Sequence, residues 1–161
     1  KDVCISTNIR DYKGNLSDCR VYRGFIDKNK LPDVYNALTY FKKSAMAENF
    51  FKIVRDIFEN WEKYKNTLVC DKDEIVTTDW AYSIACAILG EENTTMHKFN
   101  QFSMVHMKQY INATPTENWT DTLLYEVFPN QIRVNTYVQQ YPFHYHIKNF
   151  SDKISKGINN G

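Results

Sequence analysis

The sequence predicts an α/β domain, a mixed sheet with helices packed on it, over residues 1–150, followed by a polar flexible tail over 151–161. Three observations carry this prediction. Tyr35, Ala37, Thr39 and Phe41 alternate as a strand does. Directly after them, Phe50, Ile53, Val54, Ile57, Phe58, Trp61 and Tyr64 recur in steps of three and four, the stripe of a helix with one buried face. A second apolar helical stretch and several short strand candidates complete a pattern that favours α/β over a sandwich.

In chain order, Val3–Thr7 is a short strand candidate and Asp11–Leu16 a turn around Gly14. Arg20–Ile26 reads as a second strand, and Asp27–Pro32 as a polar turn that Pro32 closes. The strand–helix unit follows, with Ser44 as N-cap and Glu59 and Lys63 paired four apart on its wet side. Lys65–Glu74 is a polar link. Thr77 or Thr78 caps a largely buried helix running to about Leu89, with Asp79 in its first turn and Gly90 just past its end. Asn93–Asn100 reads as loop, Phe102–Met107 as strand with helix competing, and Asn118–Phe128 as a short helix or irregular chain. Gln131–Tyr141 alternates as a strand until Pro142 interrupts it, and an aromatic–histidine segment follows.

Composition narrows the function classes. Eleven Tyr, ten Phe and three Trp fill a core or line clefts for flat and sugar-like ligands. A net charge of +1 gives no concentrated basic face, so no nucleic-acid partner is expected. The four cysteines form neither a CxxC pair nor a zinc frame. A reducing, cytoplasmic setting is therefore expected, and no run approaches membrane-spanning length. Sequons at Asn15, Asn93, Asn112, Asn118 and Asn149 arise easily by chance in an Asn- and Thr-rich chain.

The densest chemical signal is His144–Tyr145–His146 with Lys148. Alternation sets both imidazoles on one face, where they hold a metal or phosphate oxygens, or pack as aromatics at a sheet end. Asp79 at a helix mouth is an acid–base group, a sugar-hydroxyl acceptor, or simply a favourable first-turn carboxylate. Trp80 beside it stacks on a ligand or anchors the helix. His106 and Lys108 alternate in MVHMK, and Trp119 and Asp121 form a further polar–aromatic pair. No Walker loop, GxGxxG, HExxH or GxSxG spacing is present.

The blocks LPDVYNALTYFKKSAMAENFFKIV, TTDWAYSIACAILG, MVHMK, WTD and YPFHYHIKNF, taken in this order, resemble the later part of phage and bacterial glycosyltransferases of the GT-A type. The resemblance implies a partial Rossmann-like architecture whose amino-terminal nucleotide-binding part, with the DxD metal motif, precedes Lys1. Asp71–Lys72–Asp73 has the letters of that motif but lies in the polar link. Tyr35, Asn36 and Ala37 match the block that approaches the donor sugar, and Asp79 matches an aspartate that contacts donor or acceptor. His144 or His146 matches the late histidine that completes a divalent-metal shell (Mn2+ or Mg2+), and Lys148 matches a phosphate contact.

The implied reaction moves a sugar from a nucleotide-diphosphate donor to a glycan or other hydroxyl acceptor. Asp79 is its candidate catalytic residue. Tyr35, Asn36, Trp80, His106, Lys108, Trp119, Asp121 and Lys148 are candidate substrate contacts, and His144 and His146 candidate metal ligands. Three rivals remain: a noncatalytic glycan- or protein-binding domain of a phage or its host, which predicts exposed aromatics in a shallow groove, a metal-dependent hydrolase built on the two late histidines, and a structural subunit whose aromatic stripes are all core.

Overall fold

The computed structural model describes residues 1–7, 23–96, 105–107, 125–128, 131–134, 137–138 and 143–145. The fold is mixed α/β. Where the sequence suggests one domain over residues 1–150, contacts gather the chain into two compact units. One is Lys1–Asn8 with Val21–Phe102, and the other is Ile9–Arg20 with Ser103–Gly161. The tail over 151–161 lies outside the described residues.

In the first unit, β1 (Val3–Ser6) pairs antiparallel with β2 (Tyr35–Phe41), Val3 opposite Phe41 and Ile5 opposite Thr39. The register slips between Ile5 and Ser6, which brings Ser6 opposite Tyr35. The Ser6 hydroxyl donates to the Tyr35 carbonyl at 2.6 Å. Along its other edge β1 meets Thr95 through Ile5, and Met96 N–H donates to the Ile5 carbonyl at 2.9 Å. Flanked on both edges, all four β1 residues are buried, so the strand reads as a continuous run rather than an alternation.

The segment expected to be a second strand is instead helical over α1 (Arg23–Lys28). Tertiary packing overrides its β propensity. Phe25 and Ile26 are both buried, and Phe25 lies in an aromatic cluster described below. Asn29 closes the helix by donating to the Phe25 carbonyl at 2.9 Å, and the turn continues through Lys30 at φ 53°.

α2 (Ala45–Glu59) follows β2 through Lys42 and Lys43. Ser44 caps it as expected, its hydroxyl accepting from Ala47 N–H at 3.2 Å. The buried stripe is Ala47, Phe50, Val54 and Ile57. One helix was expected through Tyr64, but the chain breaks at Asn60. Its side chain donates to Asp56 Oδ1 at 2.8 Å, competing with helix continuation, and α3 (Trp61–Lys65) starts afresh. The break splits the expected Glu59–Lys63 pair. The i,i+4 ion pair on α2 is Lys52–Glu48 at 2.9 Å. Phe58, although part of the apolar stripe, is 43% exposed.

The polar link is tied down at both ends. Val69 N–H donates to Asn29 Oδ1 at 2.7 Å, and Trp61 Nε1 donates to the Glu74 carbonyl at 2.9 Å. α4 (Thr78–Leu89) is capped by Thr77, whose hydroxyl accepts from Trp80 N–H at 3.2 Å. Gly90 ends it at φ 91°, where a Cβ would come within 2.6 Å of Glu92 Oε1. A short α5 (Glu91–Thr94) takes the start of the expected loop. Among the described residues no helix is long and apolar enough to cross a membrane.

In the second unit β3 (Val105–Met107) runs parallel to β7 (Phe143–Tyr145), with His106 opposite His144. β4 (Tyr125–Phe128), β5 (Gln131–Val134) and β6 (Tyr137–Val138) form an antiparallel meander. Two expectations are corrected here. Residues 125–128 are strand rather than helix, and 131–138 is a hairpin rather than one strand. Across β4 and β5, Glu126 is opposite Arg133, and the two side chains form an ion pair.

Candidate functional site at the amino end of β2

α4 faces β2 with two polar side chains one helical turn apart, Asp79 and Ser83. Asp79 Oδ1 accepts the Asn36 backbone N–H at 2.9 Å. The Ser83 hydroxyl donates to the Pro32 carbonyl. The i,i+4 spacing on one helix face thus reads positions 36 and 32 of the chain entering β2. Val34, between them, is fully buried. An unpaired backbone group here would cost about 1–3 kcal/mol, so the two contacts fix where β2 begins. Asn36 and Asp79 are both half-buried, while Ala37, next along, is exposed. Asn36 and Asp79, both candidate site residues, are joined by this direct bond.

Tyr82 stands on the same helix between these anchors. Burial raises its phenol pKa above the ordinary value, with the Asp79 charge adding to the effect and Cys86 less so. Its ring meets Phe50 edge-on at 5.1 Å. Deeper in α4, burial pushes the Cys86 thiol up to about 12 against the opposing hydrogen bond from Thr94. Cys86 is a packed, protonated thiol that fills space as a small apolar residue.

Tyr35 and Trp80 were candidate ligand contacts. At 3% and 6% exposure their rings offer no face to a ligand. Trp80 stacks on Phe25 at 3.9 Å and 13°, and Trp61 stands 6.2 Å away. The anchoring role of Trp80 is the one its surroundings fit, because an aromatic cluster of this kind gains from area and ring geometry together. Its Nε1 is buried with no hydrogen-bond partner.

His106 and His144 lie in the second unit, as paired positions of β3 and β7. Lys108, Trp119, Asp121, His146 and Lys148 lie outside the described residues. Among the described residues, no group of three or more His, Cys, Asp and Glu side chains is placed to hold a metal ion.

Sequence reasoning missed Ser83. In an otherwise apolar stretch it is a serine in mid-helix, and its one signal is the four-residue step from Asp79. It also missed the turn that follows β2, where Lys42 and Lys43 adjoin Phe41 and Phe51. No family model, curated protein or solved structure matches the chain.

Proposed function

We propose that this chain takes part in sugar transfer from a nucleotide-diphosphate donor to a hydroxyl acceptor, as the later portion of a GT-A-type, Rossmann-like glycosyltransferase. The observation that carries the reading is the bond from Asn36 N–H to Asp79 Oδ1. Two residues 43 positions apart, Asn36 matched by resemblance to the block that approaches the donor sugar and Asp79 to a donor or acceptor contact, meet at one point. In this reading Asp79 orients a sugar hydroxyl by accepting from it. The pairing of His106 with His144 supports a second group of polar residues in the other unit.

His144 and His146 are the residues that would hold a divalent cation, and imidazole nitrogen is a suitable donor for one. When bound, such an ion offsets charge building on the leaving diphosphate. Attack of the acceptor oxygen on the anomeric carbon breaks the bond to that diphosphate, and the acceptor proton leaves to a base.

The test is calorimetric titration of UDP- and GDP-sugars into the folded chain, with and without Mn2+. Metal-dependent binding that weakens at least about tenfold in Asp79→Asn, as expected when a charged hydrogen-bond acceptor is lost, supports the reading. Absence of heat with every donor, both from this chain and from a version extended at its amino terminus, each verified as folded by circular dichroism, overturns it.

A further inference from the structure

The carboxyl end of β2 opens on a groove of about 570 Å³ lined by Phe41, Lys42, Lys43, Ser44, Ala47, Glu48 and Phe51. Its floor is aromatic. Phe41 and Phe51 stand 4.6 Å apart at 48°, and Phe51 is 42% exposed although it packs edge-on against the buried Phe50. A half-exposed phenylalanine pair leaves apolar area wet, at roughly 25 cal/mol per Å².

The rim is cationic. Lys42 and Lys43 are exposed, and neither forms an ion pair with any of the described residues. Glu48, the one acid in the lining, is already neutralised by Lys52 at 2.9 Å. The lysines are carried on a fixed backbone, since Lys42 N–H donates to the Asp2 carbonyl at 2.8 Å and Ser44 caps α2. Two unneutralised positive charges beside an apolar floor complement an anion next to a ring. The groove is largely open to solvent, which suits a segment laid across it better than a small molecule, whose sites enclose most of its surface. The rest of the exposed α2 surface alternates in sign, with Asp56 and Glu59 beside Arg55, so it lacks the broad basic face a membrane surface calls for.

We infer that the Phe41–Phe51 groove, with Lys42 and Lys43 at its rim, is a docking surface for an acidic peptide segment bearing an aromatic anchor. The ring of the anchor sits against Phe41 and Phe51 while flanking carboxylates meet the two lysines. This inference does not rest on the sugar-transfer reading, because the groove and Asp79 lie at opposite ends of β2.

The experiment is fluorescence anisotropy of the full chain with a fluorescein-labelled peptide, Asp-Asp-Glu-Phe-Glu-Asp. Saturable binding is expected. It should weaken about tenfold or more in the K42E/K43E double variant, and about fivefold in Phe51→Ala, in keeping with loss of an anchor's contact. Replacing the peptide's phenylalanine by alanine should have the effect of Phe51→Ala. Circular dichroism establishes that each variant is folded. Three results each overturn the inference: no saturable binding by the parent chain, equal affinity in K42E/K43E, or a concentration-dependent dimer abolished by Phe51→Lys in place of peptide binding. Sedimentation with phosphatidylserine vesicles in the absence of peptide binding also overturns it, assigning the face to a membrane surface.

Discussion

The two ends of β2 are built on different principles. At the amino end, α4 reaches across with Asp79 and Ser83, and backbone groups of residues 36 and 32 are satisfied by side chains. At the carboxyl end, the strand runs into a lysine pair and a capped helix whose first turns leave Phe51 half in water. One end spends its polar groups on holding the fold. The other holds charge and apolar surface in reserve. The difference teaches where to look for chemistry and where for contact: a carboxylate already bonded to the strand is pre-oriented, whereas exposed lysines beside a half-exposed ring offer surface for contact.

The change that should damage both ends at once is Phe50→Ala. Phe50 is fully buried, edge-on to Tyr82 of α4 and tilted at 5.6 Å from Phe41 at the groove. Truncation of a buried phenylalanine costs about 3–5 kcal/mol, so urea unfolding should show a loss in that range with a folded protein surviving only at low denaturant. A loss below about 1 kcal/mol would mean that Phe50 does not bridge the two ends and that each is stable by itself.

Next in size is Asp79→Ala. It orphans the Asn36 N–H and removes a favourable first-turn charge, together about 1–3 kcal/mol by chemical denaturation. Asp79→Asn keeps an acceptor oxygen and should recover much of that stability while still impairing sugar-nucleotide binding. Should the Asn variant bind donors as the parent does, Asp79 is a fold clamp alone and the comparison loses its functional half.

These two ends were unequally legible in the sequence. Both caps were readable, Ser44 outright and Thr77 as one of two adjacent threonines, because capping depends on a few adjacent residues. The strand over residues 35–41 was readable from its alternation. The Asp79–Asn36 bond was not, since its partners lie 43 residues apart and no local pattern encodes the meeting. Resemblance brought both residues forward, and the fold joins them. α1 was misread because Phe25 and Ile26 look like strand residues until the tryptophan cluster that receives them is known. The end of α2 at Asn60 was missed because the apolar stripe continues through Trp61 into α3, keeping the period while the backbone breaks. Trp80 shows the same limit: an aromatic residue beside a candidate acid looks the same in sequence whether it faces ligand or core.

Phe51→Ala tests the open end with a smaller effect. The ring is 42% exposed, so its removal should cost about 1 kcal/mol or less, well under the cost at Phe50 next to it. Thermal unfolding of the two variants side by side measures the contrast. Equal losses would show that Phe51 serves the core rather than the groove.

The smallest effect expected is electrostatic and lies at the amino end. Burial, then the Asp79 charge, raises the Tyr82 pKa in the folded chain above its unfolded value of about 10. The neutral phenol is thereby favoured by folding. Its contribution is complete below the unfolded pKa and is lost as pH rises through the folded one, so stability falls across that alkaline window. Asp79→Asn removes the second cause and leaves burial, which narrows the window. The difference between unfolding free energies at pH 9 and pH 11 should therefore be smaller in Asp79→Asn than in the parent, and a tyrosinate absorbance titration should show Tyr82 ionising at lower pH. Tyr82→Phe supplies the control, because in that background Asp79→Asn should leave the alkaline difference unchanged. A persisting effect there would assign the linkage to another group and would separate the charge of Asp79 from the helix neighbour it faces.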